Sequence, residues 1–270
     1  MDVPRFKPTL QRVGGFRQQK RKAVFSVCPV GDNKAWICTR VPSLELIDSQ
    51  GALHRVVSLP FVTAVFGGVL NSKPVFAGLS EVFRVEENDD VSVFSRFTHC
   101  DIERLHVNKT NLYVILNVRG GPIPGWRELL RLSEDGEVLQ CLNVNSPGDL
   151  LLHRPSLVSS LTDGALCVVD KGVLKIVDSE GEGLVRESLL SREDEIWSIS
   201  CDNYNNIIIS CGLQGMVKIL NLAGECLQTY NMKDSLSDSI ISVWAAVADD
   251  TNRLWVVTFS GDVLVANYIE

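Results

Sequence analysis

The sequence has no run of about 18 apolar residues, so no segment of it reads as a membrane-spanning helix. No apolar stretch follows its basic N-terminus, which speaks against a secretory signal and leads us to expect a soluble, cytoplasmic chain. No two of its cysteines (Cys28, Cys38, Cys100, Cys141, Cys167, Cys201, Cys211 and Cys226) lie within four residues of each other. The paired spacing of a structural zinc site is therefore missing, and the thiols are expected to be reduced and mostly buried as small hydrophobes. Histidine is scarce: His54, His99, His106 and His153 stand singly. His99-Cys100-Asp101 groups three ligand types, but neighbouring strand residues point to opposite faces and do not share one metal. No serine sits in a nucleophile-elbow pattern, no Gly-rich loop opens a helix, and no long stretch repeats at a helical period. Material for a core is present nonetheless, with 45% hydrophobic and 22% charged residues.

Charge is unevenly placed. Residues 1–22 hold seven Lys/Arg against Asp2, a net of +6, so the total of −7 leaves −13 on residues 23–270. Self-similarity governs the rest. A strand ending in a polar turn closed by Gly recurs at Ile47–Gly51, Leu132–Gly136, Val177–Gly181 and Leu220–Gly224, with Val85–Asp89 as a copy closed by Asp. The intervals between closers are 38, 47, 45 and 43 residues, and each closer is a residue that tolerates positive φ. Cys28 and Cys201, Cys38 and Cys211, and Gly51 and Gly224 all share an offset of 173, or four repeats. A short apolar run precedes each turn strand: Ala35–Cys38, Pro74–Ala77, Leu112–Ile115, Leu166–Val169, Ile207–Ser210 and Leu254–Val257. Six units of about four strands predict an all-β, six-bladed β-propeller. The last unit ends short of its outermost strand, so residues 1–22 are expected to supply it, with Val13–Lys20 as the closing strand and residues 23–270 as the propeller.

The segment Asp163-Gly164-Ala165-Leu166-Cys167-Val168-Val169-Asp170 resembles the core of an NHL repeat: a turn, then an apolar strand ending in Asp. Asn205–Ile209 with Gly215–Leu220 is a looser copy. Leu254–Val257 with Gly261–Tyr268, and Val27–Ile37, are similar to the propellers that end tripartite-motif (TRIM) proteins. The Gly-His and Trp-Asp dipeptides of WD repeats are absent. The resemblance implies the substrate- or partner-recognition module of a tripartite-motif ubiquitin ligase, whose zinc-dependent ligase domains this sequence does not contain. The expectation is thus a protein-binding module that is not itself an enzyme, with no cofactor, no metal and no membrane contact.

One loop stands apart. Val118–Trp126 carries two Pro and three Gly and lengthens the third unit between its second and third strands. Arg119, Ile123 and Trp126 on it are the candidate binding residues, because loops on a rigid scaffold collect contacts and Trp and Arg are frequent anchors. Trp36 and Trp255 share a repeat position and read as core, whereas Trp197 and Trp244 fall in innermost strands, facing either a neighbouring blade or the channel mouth. The acidic body favours a partner with basic segments. Two alternatives remain: an RNA-binding propeller using the basic lead, and a hydrolase holding an axial metal through Asp32, Asp163, Asp202 and Asp249. Those four aspartates sit in turns between first and second strands, where turn chemistry alone accounts for them.

Overall fold

The computed structural model describes residues 4–17, 24–39, 41–61, 65–108, 110–146, 149–190, 195–235 and 242–270. The first strand, β1 (Phe6–Arg17), stands ahead of the repeats. Blade 1 follows as β2 (Val24–Pro29), β3 (Lys34–Thr39), β4 (Ser43–Asp48) and β5 (Leu53–Ser58). Blade 2 is β6 (Val65–Leu70), β7 (Lys73–Ala77), β8 (Glu81–Val85) and β9 (Val91–Arg96). Blade 3 is β10 (Cys100–Asn108), β11 (Asn111–Val118), β12 (Arg127–Leu132) and β13 (Val138–Cys141). A small hairpin, β14 (Val144–Ser146) with β15 (Asp149–Leu150), leads to blade 4: β16 (Pro155–Ser160), β17 (Leu166–Asp170), β18 (Val173–Val177) and β19 (Leu184–Leu189). Blade 5 is β20 (Ile196–Cys201), β21 (Ile207–Cys211), β22 (Met216–Leu220) and β23 (Cys226–Asn231). Blade 6 has β24 (Val243–Ala248), β25 (Arg253–Thr258) and β26 (Asp262–Ile269), with β1 as its fourth strand. The only helical element among the described residues is a 3-10 turn at Met232–Asp234. Six four-stranded antiparallel sheets in this order make a six-bladed β-propeller.

The six apolar runs are the second strands β3, β7, β11, β17, β21 and β25, almost wholly buried because both of their faces pack on neighbours. The five polar turns join third to fourth strands. Their closers Gly51, Asp89, Gly136, Gly181 and Gly224 all have φ between 68° and 87°. In four of these turns the first polar side chain caps the backbone. Asp48 accepts from the N–H of Gln50 and Ala52 (both 2.9 Å), and Asn221 from Ala223 and Glu225 (2.9 and 3.0 Å). Ser133 and Asp178 do likewise in blades 3 and 4.

The chain divides into two compact units, Met1–Val56 with Ser191–Glu270, and Val57–Leu190. In the first unit, one core layer joins Ile208, Val217 and Tyr230 of blade 5 to Leu254, Val256 and Tyr268 of blade 6. A second joins Trp255, Val257 and Val265 of blade 6 to Ala35, Ile37 and Ile47 of blade 1. Trp36 and Trp255 are core, 4% and 0% exposed. In the second unit, the layers lie between blades 2 and 3 (Val75, Val82, Val114, Leu132) and between blades 3 and 4 (Ile115, Leu129, Val158, Val168). Blade 4 also holds a buried ion pair. Asp170 accepts from the N–H of His153 and Arg154 (3.0 and 2.5 Å) and pairs with Lys175 Nζ at 2.9 Å. Burial opposes ionisation of Asp170, but those donors together hold its carboxyl below the usual range.

Two sequence expectations need correction. The strand completing blade 6 begins earlier than Val13: β1 starts at Phe6, whose ring stacks on Tyr268 at 6.3 Å, while Gln18–Lys20 lie outside the described residues. Two register shifts between β1 and β26, and Pro8 within the strand, erase the alternation that would mark it in sequence. Nor are the cysteines mostly buried. Only Cys38, Cys167 and Cys211 are buried, and Cys141 and Cys226 are exposed because they lie on outermost strands.

Two measurements test this packing. Gly51 has φ +86° and an added Cβ would fall 2.5–2.9 Å from the Phe16 ring, whereas at Gly172 (φ +78°) it would meet nothing. Gly51→Ala should therefore cost about 2–4 kcal/mol in urea unfolding and Gly172→Ala about 1 kcal/mol. His106 Nε2 lies 2.9 Å from Ser160 Oγ, and burial depresses the imidazole pKa to about 4. Because the unfolded chain takes up that proton near pH 6.5, stability is full above 6.5 and is lost as pH falls towards 4. The loss should be about 2–3 kcal/mol, and His106→Asn should remove that share of the slope.

Candidate functional site

The long loop of blade 3 is held from below. Val118 N–H donates to the Trp126 carbonyl at 3.0 Å, continuing the β11–β12 ladder to the loop base, and Trp126 N–H donates to the Ile123 carbonyl at 3.1 Å. Gly120 and Gly125 turn the chain with φ of 78° and 71°. The Trp126 side chain lies against Gly121, where an added Cβ would come within 2.7 Å of it, and its indole N–H donates to Glu128 Oε1 at 3.1 Å. Trp126 is thus half-buried along its own loop. Arg119 is anchored at both ends: its N–H donates to the His99 carbonyl at 2.8 Å, and its guanidinium grips Asp101 with Nε–Oδ2 at 3.1 Å and a second, shorter bond. That grip holds the Asp101 carboxyl below the usual range. Ile123 points outward, 52% exposed. The three residues therefore share one loop but differ in state: Arg119 fixed and solvated, Ile123 free of burial, Trp126 a support. Asp101, the carboxylate of the His99-Cys100-Asp101 group, is committed to Arg119.

The four turn aspartates stand where first strands meet second strands. Asp163 accepts from Ala165 N–H at 3.0 Å, and Asp32 sits at φ 49°. Asp202 accepts from the N–H groups of Tyr204 and Asn206 (2.9 and 2.8 Å), from Asn206 Nδ2 (2.8 Å) and from the Tyr268 hydroxyl (2.9 Å). Burial and the charge of Asp202 push the Tyr268 hydroxyl pKa far up. Asp249 accepts from Thr251 and Arg253 N–H, from the Arg253 guanidinium (Nε 2.9 Å) and from the indole of buried Trp255 (2.9 Å). Burial works against its charge, yet these donors keep its pKa below the usual value. The oxygens of Asp202 and Asp249 are filled by turn backbone and core donors. Among the described residues no three His, Cys, Asp or Glu side chains converge as metal ligands.

A cluster that sequence reading missed lies in the first unit. Trp197 and Trp244 meet edge to face with centroids 5.2 Å apart, and Trp244 also touches Phe25 (5.7 Å) and Phe259 (5.8 Å). Phe259 and Leu213, on the second-to-third-strand turns of blades 6 and 5, are 51% and 67% exposed. The available signal was an aromatic at the second residue of three innermost strands, Phe25, Trp197 and Trp244.

The fold defines a β-propeller built of unlike blades. It is similar over nearly its whole length to solved propellers at low identity. The WD40 β-propeller domain of Doa1 matches with a TM-score of 0.66 at 13% identity, covering 96% of this chain and 97% of that one. A streptogramin B lyase matches with 0.65 at 10% identity, over 95% and 97%. Regucalcin from Agrobacterium tumefaciens, a calcium-binding protein, matches with 0.63 at 13% identity, over 99% and 94%. No family model and no curated protein matches the chain. These likenesses correct the expectation that the chain is not an enzyme: a lyase shares its fold from end to end, so the fold does not argue against catalysis. No helix of the described residues is long and apolar enough to cross a membrane.

The Asp249 network makes a firm prediction. Asp249→Ala leaves the buried Trp255 indole without its acceptor and strips the Arg253 guanidinium of its carboxylate, leaving it the Asn33 amide oxygen. It should lower unfolding free energy by about 3–5 kcal/mol. Asp163→Ala, which removes one turn cap at an exposed side chain, should cost about 1 kcal/mol or less in the same urea titration.

Proposed function

We propose that the chain is a protein-binding propeller that takes its partner on the blade 3 loop through Arg119, Ile123 and Trp126. The observation that carries this reading is Ile123, a large apolar side chain 52% exposed on a loop whose backbone is tied down at Val118, Arg119 and Trp126. An apolar anchor on a pre-ordered loop loses little entropy on docking, which is what makes such residues effective contacts. The net charge of −13 on residues 23–270 supports a partner with basic segments. The likeness to a WD40 domain is in keeping with a binding role, and the NHL-like blade pattern supports the finer reading of a cytoplasmic recognition module of a tripartite-motif ubiquitin ligase.

The test is capture of cytosolic proteins by the chain, with and without ribonuclease, beside Ile123→Ser and Trp126→Ala. A protein set that survives ribonuclease and falls at least tenfold with Ile123→Ser is expected. Ile123→Ser should leave the thermal midpoint unchanged, and Trp126→Ala should lower it by only a few degrees while weakening capture. Loss of the bound set on ribonuclease treatment would overturn the reading in favour of RNA.

A further inference from the structure

Each of the six first strands has one break in its ladder with the second strand, leaving one residue without a partner across the sheet. A bulge of this kind bends the strand and re-aims the side chain it leaves unpaired. In the second unit these residues are Gly67, Glu103 and Ser156. In the first unit all three are aromatic: Phe25, Trp197 and Trp244. Their rings are the ones that touch about Trp244, with Phe259 added from the neighbouring turn.

Trp244 rests on the core layer of blades 6 and 1, but several features distinguish the cluster above it from core. Trp197 and Trp244 are only half-buried, and neither indole N–H has a hydrogen-bond partner among the described residues, whereas the indoles of Trp126 and Trp255 each donate to a carboxylate. A ring with one wet polar edge is suited to an interface. The exposed Leu213 and Phe259 rise beside it on turns hydrogen-bonded to Val243 and Ser242, the two residues before Trp244. Gly212 lies so close under Trp197 that a Cβ would fall 2.1 Å from the ring, which fixes the indole in place.

The chemistry of the occupant follows from charge. The carbonyl of exposed Glu195 accepts the Gly212 N–H at 3.0 Å, which sets that residue beside Trp197. Elsewhere the chain covers ring faces with its own arginines, Arg55 over Trp36 at 5.7 Å and Arg84 over Phe94 at 5.2 Å. Among the described residues no cation stands over Phe25, Trp197 or Trp244. Indole faces over which no described residue places a cation, on a chain whose residues 23–270 carry a net −13, complement a guanidinium. We propose that this platform binds an arginine-bearing, basic segment of a partner protein. The guanidinium lies on Trp197 and Trp244, and a neighbouring apolar side chain rests against Leu213 and Phe259. The proposal rests on the protein-binding reading and adds a second contact surface to it.

The test is fluorescence anisotropy of the whole chain with a labelled eight-residue peptide of alternating arginine and leucine. A glutamate–leucine counterpart and an oligouridylate serve as competing probes, because the basic run of residues 17–22 precedes Phe25 in the sequence. Saturable binding of the arginine peptide is expected, weakened at least tenfold by Trp244→Ala and by the exposed pair Leu213→Ser with Phe259→Ser, which leaves the core intact. Absence of binding, indifference to the exposed pair, or preference for the glutamate peptide or the oligouridylate would overturn the proposal. Ile123→Ser should leave peptide binding unchanged. Cytosolic capture that depends on Ile123 without any arginine-peptide binding would remove the platform and keep the loop, and the reverse result would remove the loop and keep the platform.

Discussion

The first unit depends on one pairing between the two ends of the sequence. β1 runs antiparallel to β26 from Phe6 opposite Ile269 to Arg17 opposite Asp262, giving blade 6 its fourth strand. The same strand reaches both neighbours. Gly15 N–H donates to the Ser49 carbonyl of blade 1 at 2.8 Å, and the Phe16 ring fills the space left by Gly51. On the other side the Tyr230 hydroxyl of blade 5 donates to the Lys7 carbonyl and the Tyr268 carbonyl at 3.0 and 3.1 Å. One strand thus satisfies an edge that would otherwise expose unpaired backbone, and it stitches blades 5, 6 and 1 through a main-chain bond to Ser49, the Phe16 ring and the Tyr230 hydroxyl.

Beneath that pairing the blades are held by repeated turn chemistry, and this is the part a reader of the sequence can see. A polar residue that caps two N–H groups, followed by a residue at positive φ, is a local device, so Asp48 with Gly51 and Asn221 with Gly224 announce themselves without any tertiary context. The second strands are equally plain, since burial on both faces demands an unbroken apolar run. Even so, the repeat offset misleads in detail. Ile47 and Leu220 are 173 apart, but their ladder partners Ala35 and Ile207 are 172 apart, so Cys211 stands one place beyond the counterpart of Cys38. One additional residue in the second-to-third-strand turn of blade 5 accounts for the difference.

What the sequence hides is whatever a bulge creates. β1 carries two register shifts, so its polar and apolar residues lose period two, and its true start at Phe6 has no local mark. The aromatic cluster is hidden for the same reason. Phe25, Trp197 and Trp244 look like ordinary strand residues of the kind that face a neighbouring blade, and only the break in the ladder shows that they are released from pairing. The blade 3 loop was legible, because Pro and Gly at that density mark irregular backbone. The division of labour within it, with Trp126 as support and Ile123 as outlier, required the structure.

These two kinds of legibility bear on where this propeller can evolve contacts. Ladder positions and turn caps are constrained by backbone hydrogen bonds that recur in every blade, so their residue types repeat. The bulge residue is excused from that constraint in each first strand, and it varies most widely: Phe, Gly, Glu, Ser, Trp and Trp through the six blades. The second-to-third-strand turns vary as freely, from the two residues Lys171-Gly172 in blade 4 to the eight-residue loop of blade 3. In the first unit those two freedoms coincide in space, with bulge aromatics at the base and Leu213 and Phe259 on the turns above them. A scaffold whose pairing is satisfied elsewhere can leave such residues half-exposed at little loss of stability, which is the physical condition for a recognition surface.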